Sequence, residues 1–435
     1  MAQWIVPQLA MDGEQRFEVM MLADRYGNLV GGANPSGTAV DAFGRARVSN
    51  PYTLFDSFHR YRDNGKITTS TAGSGAATHN ANAGLIECTV GTASGDFVKR
   101  ESARVFAYQP GKSLQILQTF VMNPAKENLR QRYGYFGASN GMFLELDGTT
   151  VNLVKRSTSS GSLTETRIAQ ADWNIDKMDG TGISGITLDL TKAHILFTDI
   201  EWLGVGSVRM GFIIDGNMIP VHTFHHANII QSTYITTACL PVRAEIENTG
   251  ITASASTLKI ICSSVISEGG YELRGKPLCV GIPLSTPKDI PTAGTFTPII
   301  SIRLKDANSD AIVLPRAADF LGTSNNTRYR YKIVVGGTLT GASWVSAGTN
   351  SSIEYDITAT AISGGTDIHT GYVNVSAGAG GANVDLVDGG DGTFKYQLER
   401  NSFLSSDRGI VFSLVATGAT NGDDAIGSIG WEEIT

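Results

Sequence analysis

The sequence has little charge and lacks long apolar runs. Only 17% of its 435 residues are charged, and its 34 Lys and Arg are outnumbered by 41 Asp and Glu. An acidic chain without a basic stripe cannot neutralise many phosphates, so we expect no nucleic-acid partner. No apolar stretch reaches the roughly 18 residues that span a bilayer, and the first residues show no secretion signal. We therefore expect no membrane partner and no export.

Cysteine is also scarce. The four cysteines are too few for a disulfide scaffold in so long a chain, and none forms a Cys-x-x-Cys pair of the kind that holds zinc. We interpret them as buried, reduced thiols. They are Cys88, Cys239, Cys262 and Cys279.

Motifs of catalysis are missing as well. There is no G-x-S-x-G nucleophile motif and no phosphate-binding G-x-x-x-x-G-K-[ST] loop. Two carboxylate pairs, Asp199 with Glu201 and Glu245 with Glu247, have the spacing of one strand face. Nothing distinguishes them from solvated or cross-strand charges. The sequence therefore predicts no enzyme, no catalytic residue and no cofactor.

Metal-ligating residues are present without the spacing that a metal needs. His222 and His226 share a strand face but lie roughly 13 Å apart along it, and His225 faces the other way. The aspartates of Gly-rich loops match no EF-hand spacing, and Asp-Gly is what a turn requires by itself. We therefore predict no metal site. These loop aspartates are Asp176, Asp179, Asp215, Asp388 and Asp391.

Abundant glycine and repeated short strands are what the sequence does contain. Gly makes up 50 of 435 residues, and helical periodicity is nearly absent; the two short helical candidates are residues 169–173 and 316–320. Residues 129–136 alternate, with Arg130 and Arg132 on one face and Tyr133 and Tyr135 on the other. Residues 194–226 form a meander of three strands. Such strands, separated by tight turns, predict an antiparallel sandwich or jelly roll.

Composition along the chain predicts its division. Prolines interrupt residues 272–298, and proline cannot donate to a strand ladder. Residues 104–108 also have the apolar pattern of a strand, and about eight strand-like runs, including residues 394–400, follow residue 296. The predicted fold is thus all-β, with a smaller C-terminal β-sandwich after the jelly roll. The predicted parts are an extended N-terminal arm at residues 1–50, a jelly-roll domain at 51–285, a linker at 286–295 and the C-terminal sandwich at 296–435.

Aromatic clusters are the candidates for contacts with a partner. They occur in residues 50–62 and 133–136, where they suit core packing, a partner subunit or a glycan. The interaction candidates are Tyr52, Phe55, Phe58, Tyr133, Tyr135 and Phe136.

Several motifs between residues 42 and 271 are familiar as a set. They are AFGRARVS (42–49), YTLFD (52–56), YQPGKS (108–113), RQRYGYF (130–136), EWLGVG (201–206) and ISEGGY (266–271). The set resembles virion structural proteins of tailed bacteriophages, notably marine and cyanobacterial phages. The meander that follows residue 201 is similar to part of a concanavalin-like jelly roll.

The resemblance implies a virion component without bringing any catalytic residues. We expect a tail, baseplate or fibre protein that mediates assembly and host attachment. The alternatives are a capsid decoration protein (a cement or head-fibre protein) and a carbohydrate-binding module. The expected partners are other virion proteins, copies of the chain itself with a trimer as first candidate, and a host-surface glycan.

Overall fold

The computed structural model describes residues 50–272, 275–308, 310–376, 396–400 and 409–434, and the backbone of 8–12, 15–19, 22–23, 29–30 and 380–385. The described residues contain no α-helix, and their strands pair antiparallel. The predicted all-β fold is therefore confirmed. No helix among the described residues has the length and apolarity to cross a membrane. Most of the predicted arm, residues 1–50, lies outside the described residues, as do Asp388 and Asp391.

The chain forms two compact units. Unit 1 comprises Met1–Glu101 and Tyr108–Tyr271, and unit 2 comprises Ser102–Ala107 and Glu272–Thr435. The predicted linker at residues 286–295 contains a short strand, Lys288–Ile290, inside unit 2. The domain boundaries proposed from the sequence remain a prediction.

Unit 1 contains nineteen of the described strands and one 3₁₀ helix, Gln170–Asp172. The strands are β1 (Gln8–Asp12), β2 (Gln15–Val19), β3 (Leu22–Ala23), β4 (Leu29–Val30), β5 (Tyr52–Phe58), β6 (Ile67–Ala72), β7 (Ala76–Asn80), β8 (Leu85–Val90), β9 (Phe97–Ser102), β10 (Ser113–Val121), β11 (Leu129–Phe136), β12 (Gly141–Asp147), β13 (Thr150–Ser157), β14 (Thr164–Ala169), β15 (His194–Ile200), β16 (Val208–Ile214), β17 (Asn217–Phe224), β18 (Val242–Asn248) and β19 (Ser256–Glu268).

Two large sheets of unit 1 form a sandwich. One has the order β17-β16-β15-β10-β19-β8-β7, with β5 also paired to β19, and the other has the order β14-β13-β12-β11-β18-β9-β6. Phe120 of the first sheet packs edge-on against Tyr133 of the second, with ring centroids 5.0 Å apart. The Tyr133 hydroxyl lies 3.2 Å from Ser263 Oγ of the first sheet. The core between the sheets is thus largely apolar, and the Tyr133 and Ser263 hydroxyls meet within it.

Unit 2 contains the remaining described strands and a 3₁₀ helix, Asp306–Asn308. The strands are β20 (Lys276–Gly281), β21 (Lys288–Ile290), β22 (Thr297–Leu304), β23 (Ile312–Gly322), β24 (Thr327–Val335), β25 (Thr338–Thr340), β26 (Val345–Ser346), β27 (Ile353–Asp356), β28 (Ala361–Ser363), β29 (Thr366–Val375), β30 (Gly380–Asp385), β31 (Phe412–Gly418) and β32 (Asp423–Ile434).

Unit 2 is a second sandwich. One sheet has the order β20-β32-β23-β30 with β21 on β32, and the other has the order β26-β27-β22-β31-β24-β29. A shared cluster of buried side chains from both sheets forms the core, including Ile299, Leu414 and Trp431. The Trp431 indole N–H donates to Glu433 Oε1 at 2.8 Å, which satisfies its polar atom inside the protein.

Some local predictions were wrong. Residues 316–320 belong to strand β23 instead of a helix, because Ala318 and Phe320 alternate into the core. Residues 104–108 form no strand; in this stretch the carbonyl of Val105 accepts from the Gln397 side chain instead of a strand partner. Residues 394–395 lie outside the described part, and 396–400 contain only an isolated bridge.

The cysteines were only partly predicted. All four are free thiols, but Cys262 and Cys279 are exposed and Cys239 is half-buried. Cys88 is the buried one, and burial raises the pKa of its thiol to about 12. Small strand residues reach the surface because alternation, and not residue type, decides which face they occupy.

Phe120 supports a first prediction about the unit 1 core. Phe120→Ala should lower the free energy of unfolding by about 3–5 kcal/mol, because it leaves a cavity against Tyr133. Phe58, which is 58% exposed, is the control, and Phe58→Ala should change it by less than about 1 kcal/mol. Urea denaturation measures both. Equal losses in the two variants would contradict the described core.

Candidate functional site

One face of the seven-stranded sheet of unit 1 is covered with charged side chains, and we call it the charged face. Cross-strand register places Arg132 of β11 opposite Glu145 of β12 and Glu245 of β18. Alternation directs these residues away from Tyr133 and the core. The charged face comprises Glu101, Arg130, Arg132, Glu145, Arg156, Glu165, Arg167, Arg243, Glu245 and Glu247.

Glu145 is the centre of the charged face. Its side chain is fully buried, and its two oxygens accept hydrogen bonds from Arg132 Nε and Arg167 Nε, both at 2.8 Å. Arg167 and Arg156 also pair with Glu165, and Arg243 pairs with Glu245. A buried carboxylate held by two guanidinium groups is a fixed part of the structure, since removing either partner leaves a charge unpaired.

Aromatic rings lie beneath these charges. Phe136 and Phe143 pack together with ring centroids 4.3 Å apart. The guanidinium groups of Arg132 and Arg156 lie 5.3 and 5.1 Å from the Phe143 centroid, and that of Arg243 lies 5.1 Å from the Phe136 centroid. At Gly134, opposite Phe143 in the register, a Cβ would lie 2.6 Å from Phe143 Cβ, so glycine admits the ring. Cation–π contacts thus orient the arginines from below.

The electrostatics of the charged face lower the pKa of two of its acids, Glu165 and Glu245. Burial alone would raise the pKa of Glu245, but the charges of Arg243, Arg132 and Arg156 outweigh it and lower that pKa. Burial is likewise outweighed at Glu165, whose pKa is lowered by its hydrogen bond to Arg156 and by nearby arginines. A general acid needs its pKa raised towards neutrality, which is the opposite direction.

The two carboxylate pairs considered from the sequence have separate structural roles. Glu245 and Glu247 are paired with arginines on the charged face. Asp199 is buried and bonds to Arg209 at 2.6 Å. Glu201 lies beyond the end of β15, where its carboxylate accepts from Ser207 N at 3.4 Å.

A node of aromatic side chains joins the loops at one end of the eight-stranded sheet. The Tyr108 hydroxyl accepts from the backbone N–H groups of Trp202 and Leu203 at 3.3 Å, and the Tyr108 and Trp202 rings meet edge-on. Tyr234 donates from its hydroxyl to the Glu201 carbonyl at 3.1 Å. Two of the motifs that carry the phage resemblance, at residues 108–113 and 201–206, therefore meet here.

The histidine cluster is structural in the same region. His226 stacks on Tyr234 with centroids 4.0 Å apart, and its Nδ1–H donates to the Gly206 carbonyl at 2.6 Å. His222 accepts from Asn174 N through Nδ1 at 3.3 Å, while His225 is exposed. Burial lowers the pKa of both His222 and His226 to about 4. Both imidazoles are therefore neutral near pH 7.

Two of the described loop aspartates, Asp176 and Asp179, accept hydrogen bonds from within their own loops. Asp176 is buried and accepts from Met178 N and Ser184 N at 2.8 and 2.6 Å. Asp179 accepts from Thr181. Within the described residues, no group of three or more His, Cys, Asp or Glu is placed to hold a metal ion.

The six aromatic candidates do not gather into one site. Tyr133 and Tyr135 are buried; the Tyr135 hydroxyl donates to the Ala238 carbonyl and accepts from Leu240 N. Phe136 lies beneath the charged face. Phe55 is buried in β5, Tyr52 stacks on Tyr271 at 5.8 Å, and Phe58 exposes its ring. Whether any of them contacts a partner stays a prediction.

A partly exposed group of residues in unit 2, which we call the cation–aromatic patch, was not predicted from the sequence. The patch comprises Phe296, Arg328, Arg330, Lys332 and Tyr372. The basic residues occupy alternate positions of β24, a pattern visible in the sequence. Neither Phe296 nor Tyr372 is adjacent to them in sequence, so their meeting depends on the fold.

Fold and site together define an all-β protein built from jelly-roll-like sandwiches. No protein-family model matches the chain, and no curated protein matches it.

Solved structures give weak similarities. The Emp47p carbohydrate recognition domain has 11% identity, with 49% of this chain and 94% of that chain covered and a TM-score of 0.31. A glycoside hydrolase family 16 endo-glucanase from Bacteroides ovatus has 10% identity, 49% and 99% coverage and a TM-score of 0.32. The CBM2 module of the evolved Dit of Lactobacillus casei BL23 phage J-1 has 7% identity, 52% and 99% coverage and a TM-score of 0.32. These values transfer no function to this chain.

Glu145 supports a second prediction. Glu145→Gln should destabilise unit 1 by about 3–5 kcal/mol, because Arg132 and Arg167 lose a buried counter-charge. Glu247→Gln, at a half-exposed pair with Arg130, is the matched control and should cost about 1 kcal/mol or less. Thermal and urea unfolding measure both. A stable Glu145→Gln variant would contradict the structural role of this carboxylate, and loss of an enzymatic turnover in a folded variant would indicate catalysis instead.

His222 and His226 support a prediction of pH dependence. Their folded-state pKa of about 4 lies below the ordinary value of 6.5, so the unfolded chain binds more protons between these values. Their contribution to stability should be complete above pH 6.5 and should be lost as the pH falls towards 4. Unfolding midpoints measured from pH 7.5 to 4.5 test this.

The matched pair of variants for that experiment is His226→Gln and His225→Gln. The first removes a buried imidazole, so its midpoint should be lower at pH 7.5 and fall less steeply below pH 6.5. The second changes an exposed ring, so its pH profile should follow that of the wild type. Identical profiles for all three proteins would rule out His226 as a source of the pH dependence.

Proposed function

We propose that this protein is a structural component of a tailed-phage virion, associated with the tail, baseplate or fibre, and that it acts by assembly and host contact instead of catalysis. Its partners are other virion proteins and further copies of the chain, with a trimer as the first candidate, since phage appendages are usually symmetric.

The observation that carries the proposal is the structural use of the phage-like motifs. The motif at residues 130–136 is strand β11, which supplies Tyr133 to the core and Arg132 to the charged face. The motifs that contain Tyr108 and Trp202 meet in the aromatic node. These motifs supply core and sheet contacts and no reactive group. Motifs of that kind are expected in proteins that share a structural role and no common reaction.

The charged face supports the non-catalytic part of the proposal. Carboxylates on a broad sheet face are suitable for glycosidic hydrolysis only if one of them stays protonated near neutral pH. Here the arginines lower the pKa of Glu165 and Glu245, and Glu145 is bonded to two guanidinium groups. This arrangement favours a rigid framework over acid–base chemistry.

The proposal is tested by locating the protein in the particle. Antibodies raised against the recombinant chain should label the tail region of purified virions in immunogold electron microscopy. Empty heads isolated on a density gradient should lack the protein, because a tail component is not part of the shell. Co-purification with empty heads would support a decoration protein, and absence from virions would refute a structural role.

A further inference from the structure

The cation–aromatic patch of unit 2 has the composition of a ligand-binding surface. Arg328, Arg330 and Lys332 lie at alternate positions of β24, so their side chains share the face opposite Tyr329 and Tyr331. Strand β29, at the edge of the six-stranded sheet, places Tyr372 directly opposite Arg330. The patch therefore combines three cations with aromatic rings on one sheet face.

Arg330 connects the two rings of the patch. Its guanidinium carbon lies 5.6 Å from the Phe296 centroid and 5.7 Å from the Tyr372 centroid, and its Nε donates to Thr370 Oγ1 at 3.3 Å. Lys332 Nζ lies 4.3 Å from the Phe296 centroid and 2.6 Å from Asp367 Oδ2. These contacts orient both cations while they remain partly accessible.

Tyr372 presents its ring to solvent. It is 76% exposed, whereas Tyr331 on the same pair of strands is buried and stacks on Phe320 and His369. Gly371, opposite Tyr331, leaves the space that the Tyr331 ring occupies. The opposite face of the sheet, which carries Tyr331, is thus firmly packed. Ligand binding to the patch would therefore lose little conformational entropy.

The patch is rich in positive charge, whereas the C-terminal part of the chain around it is acidic. Residues 301–435 carry 9 basic and 15 acidic residues, a difference of −6. Among the side chains that the structure describes, the ion pair of the patch joins Lys332 to Asp367, and no described ion pair neutralises Arg328 or Arg330. A positive surface within an acidic unit attracts an anionic ligand. The acidic remainder of the unit repels the same ligand from other positions.

We propose that the cation–aromatic patch binds an anionic polysaccharide, a polymer of sugars that carry carboxylate or sulfate groups. The apolar face of a sugar ring would stack on Tyr372, and its acidic groups would pair with Arg328 and Arg330. A protein partner fits less well, because a stable protein interface needs about 800 Å² on each side with an apolar centre, and Tyr372 is one exposed ring. Single-stranded nucleic acid fits less well, because it stacks on successive rings.

This inference deepens the proposed function by naming a ligand class, and it rests on the proposal that the chain acts by binding. Binding by the purified chain is measured without virions, whereas position in the particle is measured without a ligand. A negative binding result would therefore not contradict the virion location, and a negative location result would not contradict polysaccharide binding.

The test is affinity electrophoresis of the full chain in native gels that contain polygalacturonate, dextran sulfate or uncharged dextran. At least one of the two anionic polymers should retard the wild type, and dextran should not. Tyr372→Ala and Arg330→Gln should each weaken retardation by roughly fivefold to tenfold. The matched control is Tyr61→Ala, because Tyr61 is 79% exposed in unit 1 and Arg60 lies 4.7 Å from its ring centroid.

Three results would overturn the proposal. They are no retardation by either anionic polymer, equal weakening by Tyr61→Ala, and stronger retardation by oligothymidylate than by the polysaccharides. Unfolding midpoints check that the variants fold. Should Arg330→Gln lower its midpoint, Arg328→Gln at the exposed neighbouring position provides the same readout.

Discussion

The ion pairs of Glu145 are the interaction on which the architecture of unit 1 depends. A sheet in a sandwich ordinarily buries one apolar face and solvates the other. Here strand β11 buries Tyr133 on one side and Arg132 on the other. A buried charge is tolerated only when paired, and Glu145 accepts hydrogen bonds from Arg132 and Arg167. The register of the strands is therefore tied to charge pairing as well as to apolar packing.

That double requirement restricts the strands more than either requirement alone. A slip of one residue in β11 would turn Arg132 into the core and Tyr133 towards the arginines. Both faces would then lose favourable contacts at once. The Phe136–Phe143 pair adds a further restraint, because the arginines lie against these rings. The charged face thus specifies one alignment of the sheet.

Strand positions were predictable from the sequence, and the site was not. Strand β11 has the predicted bounds, and the meander predicted for residues 194–226 contains β15, β16 and β17, since alternation and Gly-rich turns are local properties. Alternation also separated Arg132 from Tyr133. It did not reveal that the face bearing Arg132 is buried, because its partners Glu145, Glu165 and Glu245 come from three other strands. Residues 316–320 were misjudged because a short run rich in alanine suits a helix or a strand until its neighbours are known.

The same reasoning explains why the aromatic candidates of unit 1 and the patch of unit 2 differ. Tyr133, Tyr135 and Phe136 lie in strand β11, which is buried on both faces, so their rings are used for packing. Strand β29 ends the order of its sheet and pairs with β24, and Tyr372 exposes most of its ring there. The arginines of the charged face are ion-paired, whereas Arg330 bonds through Nε to Thr370 and contacts two rings. Cations without a full set of acidic partners attract an external anion, which is why we propose ligand binding at the patch of unit 2 and not at the charged face of unit 1.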